Sequence, residues 1–147
     1  MTYFRTAIYT GLTATLLGLG ACSMNTAMSD SSAMTAQLSG ASEVPAVTSD
    51  ASGMAEIKFN SKTNQLSWTI THSGLSGPAT GAHFHGPAMA GANAGAAVPI
   101  SGNLASPITG SATLTAPQVA DLMAGEWYVN LHTAVHPNGE IRGQVGK

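Results

Sequence analysis

Alternation of apolar and polar side chains over short runs is the feature that most limits what this chain can fold into. Every second side chain is apolar in residues 54–59, and residues 65–72 again place their apolar side chains on one face. A period of two is typical of a half-buried β-strand and differs from the period of a helix. The polar residues 61–64 between these two runs predict a tight turn, so the pair is expected to form a hairpin.

Further short runs extend this pattern along the chain. We expect additional strands at residues 36–39, 82–85, 98–101, 110–115, 127–133 and 140–145. Asn138-Gly139, the strongest short hairpin signal, separates the last two. Many short strands favour an all-β fold, an antiparallel, Greek-key-like sandwich or barrel with Trp68 and Trp127 anchoring one core.

One segment departs from the period of two. Thr115 is a candidate N-cap, and Gln118 three residues later completes a capping box. Gly125 then provides a residue that can end the helix in a left-handed conformation. The sequence therefore predicts one short helix near residues 116–124.

The first residues have the layout of an export signal. Arg5 precedes an apolar run over residues 7–20, which is shorter than the roughly 20 residues that a membrane-spanning helix needs. The ending LGAC resembles the bacterial lipobox, in which a peptidase cuts before an acylated cysteine. We expect residues 1–21 to be a lipoprotein signal peptide and Cys22, the only cysteine, to carry the lipid. The alternative is an ordinary signal peptide that leaves Cys22 as a free thiol.

The location and domain organisation follow from this signal. Since Ser23 is not aspartate, resemblance to bacterial lipoprotein sorting favours the outer membrane, with the protein facing the periplasm. Residues 22–35 are small, polar and rich in Met and Ser, so they predict a flexible tether. The tether methionines are soft ligands that suit Cu(I), although methionines in a linker more often have no such role. The folded domain is expected over residues 36–147.

The charge of the chain limits its partners. Five Lys and Arg oppose seven Asp and Glu, and loss of Arg5 with the signal leaves four against seven. A nucleic-acid-binding protein needs clustered cations over the phosphates, so this class is disfavoured. The sequence also contains neither a G-x-S-x-G nucleophile motif nor a P-loop.

Histidines provide the candidate site. In a strand, His83 and His85 project from the same face, while Phe84 faces the opposite layer. His132 lies on the polar face of the strand expected at residues 127–133 and is the candidate third ligand. Three neutral imidazoles with an open position suit Cu(II) or Zn(II), and the Irving–Williams order favours copper.

The histidine pattern also leaves alternatives open. Met89 and His136 are candidate additional ligands, and the Met89 thioether would shift the preference towards Cu(I). His72, at the end of an apolar strand face, is interpreted as a packing residue. Without a metal, His83 and His85 would only form hydrogen bonds across the sheet.

Four ordered segments carry a family resemblance: LSGASEVPAV, WTITHSGLSGPATGAHFHGPA, SPITGSATLTAPQVADLMAGEWYVNLHT and NGEIRGQV. Together they resemble the CHRD domain, named after chordin and found in exported bacterial proteins, over nearly all of residues 36–147. The resemblance implies an immunoglobulin-like or barrel-like β fold. The family's recurring polar positions fall on Glu43, His83, His85, Asn130, His132, Glu140 and Arg142. Met89 and His136 depart from the family pattern.

The arrangement of the histidines and a late arginine is also analogous to the copper site of Cu,Zn superoxide dismutase, another β-sandwich. The chain has neither a zinc loop rich in His and Asp nor a disulfide, so a full dismutase is not expected. Glu140 and Arg142 are expected to form a structural ion pair.

The sequence is compatible with three functions. The first is a lipid-anchored binding protein that buffers or delivers copper, or less favourably zinc, to a metal-handling partner in the periplasm. The second is a structural or interaction domain without metal. The third is redox catalysis at the metal.

Overall fold

The alternating runs form eight antiparallel strands in the part of the chain that the structure, a computed structural model, describes: residues 1–2 and 30–147. The strands are β1 (Ser31–Ser39), β2 (Ser52–Asn60), β3 (Gln65–Ser73), β4 (Ala79–His85), β5 (Ala96–Pro99), β6 (Ile108–Thr113), β7 (Tyr128–Thr133) and β8 (Ile141–Gln144). One α-helix, α1 (Ala116–Met123), lies between β6 and β7, and one 3-10 turn (Gly40–Ser42) follows β1.

All eight strands belong to one sheet in the order β5-β4-β7-β8-β1-β2-β3-β6. The sheet curls into a nearly closed barrel, with β5 and β6 as its two edges. The predicted hairpins β2-β3 and β7-β8 are present as antiparallel pairs. The last strand returns to pair with the first, and β7 inserts between β4 and β8. The predicted all-β antiparallel fold with one short helix is therefore confirmed.

The core lies inside this curled sheet and is anchored by aromatic rings. Phe84 contacts both tryptophans, with ring centroids 5.2 Å from Trp68 and 6.1 Å from Trp127. Gly110 and Gly86 make room for the indoles, because a Cβ at either position would collide with the Trp68 or Trp127 ring respectively. The predicted role of the two tryptophans as core anchors is confirmed by their burial.

The helix α1 has the ends that the sequence predicts. The Thr115 hydroxyl accepts a hydrogen bond from the Gln118 backbone, while the Gln118 side chain accepts one from the Thr115 backbone. Both halves of the capping box are thus present. Gly125 follows the helix with a φ of 77°, a left-handed conformation that glycine adopts without strain. Leu122 packs from the helix into the core.

The first strand begins earlier than the sequence suggests. β1 pairs with β2 from Ser31 to Ser39, so residues 31–35 belong to the sheet and not to the predicted tether. The serines have weak strand preference, and backbone pairing with β2 compensates for it. Met34 is 3% exposed within the core, so its thioether is not available as a tether ligand.

The residues predicted to form the lipid anchor lie outside those that the structure describes. Cys22, almost all of the signal segment 1–21 and most of the predicted tether lie outside the described residues. Among the residues that are described, no helix has the length and hydropathy needed to cross a membrane.

Candidate metal centre

Three histidines meet on the outer face of β4 and β7. Ala82 and Phe84 are buried in the core, so strand alternation turns His83 and His85 outwards. His132 of β7 lies opposite Gly81 of β4, which has no side chain to separate His132 from His83. One ligand nitrogen from each of the three histidines lies within 4.8 Å of the others. The structure therefore brings together the three residues that the sequence singled out.

His132 has a defined tautomer. Its Nδ1 lies 3.0 Å from the carbonyl oxygen of Pro137, which can only accept, so Nδ1 carries the proton and Nε2 carries the lone pair. His83 Nδ1 lies 3.1 Å from this Nε2 and donates to it. Two nitrogens bound to one ion at about 2.0 Å with tetrahedral angles would be about 3.3 Å apart. A metal ion could thus replace the shared proton with little movement of the rings.

His85 offers a second oriented lone pair. Its Nδ1 lies 3.0 Å from the carbonyl oxygen of Ala94 and donates to it. Nε2 is buried and has no hydrogen-bond partner among the described residues. A buried, unpaired lone pair is costly unless an ion or water uses it. Metal-ligating histidines commonly donate their second nitrogen to a backbone carbonyl, as His85 and His132 both do.

His83 and His132 are both biased towards the neutral form. Burial lowers the pKa of His83, and repulsion from His132 and His85 lowers it further. Burial also lowers the pKa of His132; its bond to Pro137 opposes this change, and His85 adds to it. Because metals bind neutral imidazole, this electrostatic setting favours ligation near neutral pH.

A buried arginine supports the His85 side of the site. The Tyr128 ring stacks on His85 with centroids 4.8 Å apart, and the Arg142 guanidinium lies 3.4 Å from the Tyr128 centroid. Arg142 donates to the Asn93 side chain at 2.9 Å and to the Ala92 carbonyl at 2.7 Å. These bonds hold the loop of residues 86–95, which supplies the Ala94 carbonyl to His85. Sequence reasoning missed this loop contact, and no local pattern signals it.

The predicted ion pair between Glu140 and Arg142 is wrong. The Glu140 carboxylate is fully buried and accepts hydrogen bonds from Ser49, Ser76 and Thr133 at 2.6–2.9 Å. Burial alone would raise the pKa of Glu140, but these hydrogen bonds together lower it to about 2. The donors stabilise the negative charge of the carboxylate without a cation, while Arg142 turns to the 86–95 loop.

Glu43 and Asn130 lie close together near the histidines, since a Cβ at Gly139 would be 2.5 Å from the Glu43 carboxylate and 2.9 Å from the Asn130 amide. Asn130 is the register partner of both His83 and Arg142, so the three positions form one row across β4, β7 and β8. Glu43 is 8% exposed, and its Oε1 has no hydrogen-bond partner among the described residues. Burial raises the pKa of Glu43 to about 7, although the charge of Arg142 opposes this shift. The recurring polar positions implied by the family resemblance thus include a row beside the histidines.

The remaining candidates lie in loops or on another strand: His136 follows β7, Met89 follows β4, and His72 is on β3. His136 is outside the group of converging ligand atoms, and its backbone N–H donates to the Thr133 hydroxyl. Met89 is 61% exposed on the loop after β4, so its role as an additional ligand stays a prediction. His72 Nε2 forms a hydrogen bond of 3.0 Å with the Leu104 carbonyl oxygen near the end of β3, and its interpretation as a packing residue stays a prediction.

Comparison with known proteins gives one match. Residues 34–145 match the family model described as CHRD domain. This range begins inside β1 and ends just after β8, so it includes all of β2 to β8, most of β1 and all three histidines. Neither the curated proteins nor the solved structures include a match to the chain.

Proposed function

The chain belongs to the CHRD domain family, and from that premise we propose that it is a lipid-anchored cell-envelope protein that binds a transition metal. His83, His85 and His132 are the ligands, and copper is favoured over zinc. The observation that carries this proposal is the convergence of three imidazoles, one of which, His85, has a buried Nε2 without a hydrogen-bond partner among the described residues. The role that fits is periplasmic buffering of the metal or its delivery to a metal-handling protein.

The donor set supports copper. Three neutral nitrogens with no thiolate or carboxylate among the converging ligands suit Cu(II) and Zn(II), and Cu(II) forms the more stable complexes. Three protein ligands leave a coordination position for water, an exchanging partner ligand or a small anion. An open position suits release and transfer better than a closed structural site does.

Metal titration of the purified protein tests the proposal. Wild type is expected to bind one equivalent of Cu(II), and more weakly Zn(II), while H83A, H85A and H132A each lose this binding. H72A is the matched control, because it removes an imidazole outside the cluster. Uptake by H83A and H85A equal to that of wild type would exclude the site.

Membrane anchoring is a separate part of the proposal and has its own test. The support is the lipobox-like LGAC ending at Cys22 together with Ser23 after it. Cells fed a radiolabelled fatty acid should label the wild-type protein and not the C22A variant. Labelling that survives in C22A would refute attachment at this cysteine.

A metal-free structural role is the second candidate, and the bond between His83 and His132 favours it. In that case H83A would lower the stability of the metal-free protein, and added Cu(II) would not stabilise wild type.

Redox catalysis is a special case of the first proposal. Superoxide consumption by the copper-loaded protein no faster than by free aqueous copper would exclude that case.

A further inference from the structure

The carbonyl that orients His132 belongs to the connection between β7 and β8. Pro137 lies in residues 134–140, and its oxygen accepts from His132 Nδ1 at 3.0 Å. The tautomer of an imidazole is set by the hydrogen bond that one of its nitrogens makes. The conformation of this connection therefore decides whether Nε2 of His132 is available as a ligand.

Thr133 holds the start of the connection. Its hydroxyl oxygen accepts from the His136 backbone N–H at 3.1 Å, and its own backbone N–H donates to the His136 carbonyl at 3.3 Å. The Gly139 N–H donates to the same carbonyl at 3.1 Å. These three bonds define the turn that places Pro137 over His132.

Glu140 fixes the direction of the Thr133 hydroxyl. The Glu140 Oε2 accepts from Thr133 at 2.7 Å and from the Ser76 hydroxyl at 2.6 Å. Its Oε1 accepts from Ser49 at 2.8 Å and from the Ser76 backbone at 2.9 Å. A hydroxyl has one proton, so Thr133, which donates to the carboxylate, is left with lone pairs for the His136 N–H.

We propose that Glu140 is a positioning residue for the metal site: through Thr133 it holds the β7-β8 connection so that Pro137 keeps His132 protonated on Nδ1. Its consequence for metal affinity rests on the proposed function, whereas its effect on the His132 tautomer does not. Partners of ligating histidines typically change metal affinity by about 10–100-fold when removed. The path from Glu140 to His132 is longer, so we expect the lower end, about tenfold.

The decisive variant is Thr133→Val, which keeps the shape of the side chain and removes the hydroxyl. Ser49→Ala is the matched control, because it deletes one hydrogen bond to Glu140 away from Thr133. Thr133→Ser restores the hydroxyl and should restore wild-type behaviour. Glu140→Gln is a second variant that changes the carboxylate itself.

The first readout is the imidazole tautomer in metal-free protein, measured by long-range ¹H–¹⁵N NMR at a pH where His132 is neutral. Wild type, S49A and T133S should show one tautomer of His132, protonated on Nδ1, and T133V and E140Q should show a mixture. A wild-type His132 protonated on Nε2, or a T133V spectrum identical to wild type, would overturn the proposal. An equal change in S49A would also overturn it, since that points to general loosening.

The second readout is Zn(II) affinity by competition with a chromogenic chelator. T133V should bind about tenfold more weakly than wild type, with S49A and T133S within twofold of it. Equal affinity of T133V and wild type would refute the consequence for the site. If wild type binds no metal, the proposed function fails, and the tautomer measurement alone still decides the role of Glu140.

Discussion

The substitution Glu140→Gln tests how a carboxylate can be buried without a cation. Glu140 accepts four hydrogen bonds, three from serine and threonine hydroxyls and one from a backbone N–H. Glutamine has the same shape, but its NH₂ group turns one acceptor position into a donor facing other donors. The variant should therefore fold with the same sheet and lower stability.

The size of the expected stability loss, and the pH range over which it disappears, follow from the pKa of Glu140. The pKa falls from 4.5 to about 2 on folding, and each unit corresponds to about 1.4 kcal/mol, so the carboxylate contributes about 3 kcal/mol. Because the folded pKa is the lower one, this stability is present above pH 4.5 and is lost as the pH falls towards 2. E140Q has no proton to gain, so its stability should lack this component.

The assay is urea denaturation of wild type and E140Q at a series of pH values from neutral to 2. At pH 7 the variant should be less stable by about 3 kcal/mol, and the difference should shrink as the pH falls from 4.5 to 2. Taking the difference cancels the other groups, which are the same in both proteins. A difference that stays constant across this range would refute the account of the buried carboxylate.

Three further predictions concern other parts of the molecule. Cu(II) uptake should persist somewhat below pH 6.5 and decline as the pH falls through the lowered pKa values of His83 and His132, which titrations at several pH values would show; loss already above pH 6.5 would contradict it. Burial raises the pKa of Glu43 from 4.5 to about 7, so the stability of wild type relative to E43Q should fall as the pH rises from 4.5 to about 7 and level off above it, which urea denaturation of both proteins would show. Gly110→Ala should cost about 1–3 kcal/mol in the same assay, because the new Cβ would lie 2.5 Å from the Trp68 ring; unchanged stability would mean that the indole moves freely.

The sequence predicts the parts of the site that depend on local periodicity. Alternation along β4 and β7 correctly places His83, His85 and His132 on the polar face, and the capping box correctly marks the start of α1. Whether these histidines meet depends on which strands pair with each other. β4 and β7 are neighbours because β7 lies between β4 and β8 in the sheet. Alternation within a single strand does not reveal which strands are neighbours.

The contacts made by loops and buried charges could not be predicted in the same way. The donors to Glu140 include Ser49 and Ser76, which lie far from it in sequence and reach it only through folding. From the sequence, Arg142 two residues away is the nearest opposite charge, and this proximity led to the wrong ion pair. A period of two indicates the face of a strand but does not indicate which groups fold over that face.

The two buried charges, Arg142 and Glu140, each support a different histidine of the cluster. Arg142 holds the loop whose Ala94 carbonyl orients His85. Glu140 holds, through Thr133, the connection whose carbonyl orients His132. His83 needs no loop of its own, because its Nδ1 bonds directly to His132. Each oriented lone pair therefore depends on a backbone carbonyl in a loop, and each of these loops is bonded, directly or through Thr133, to a charged side chain at β8. The fold itself thus orients the three imidazoles.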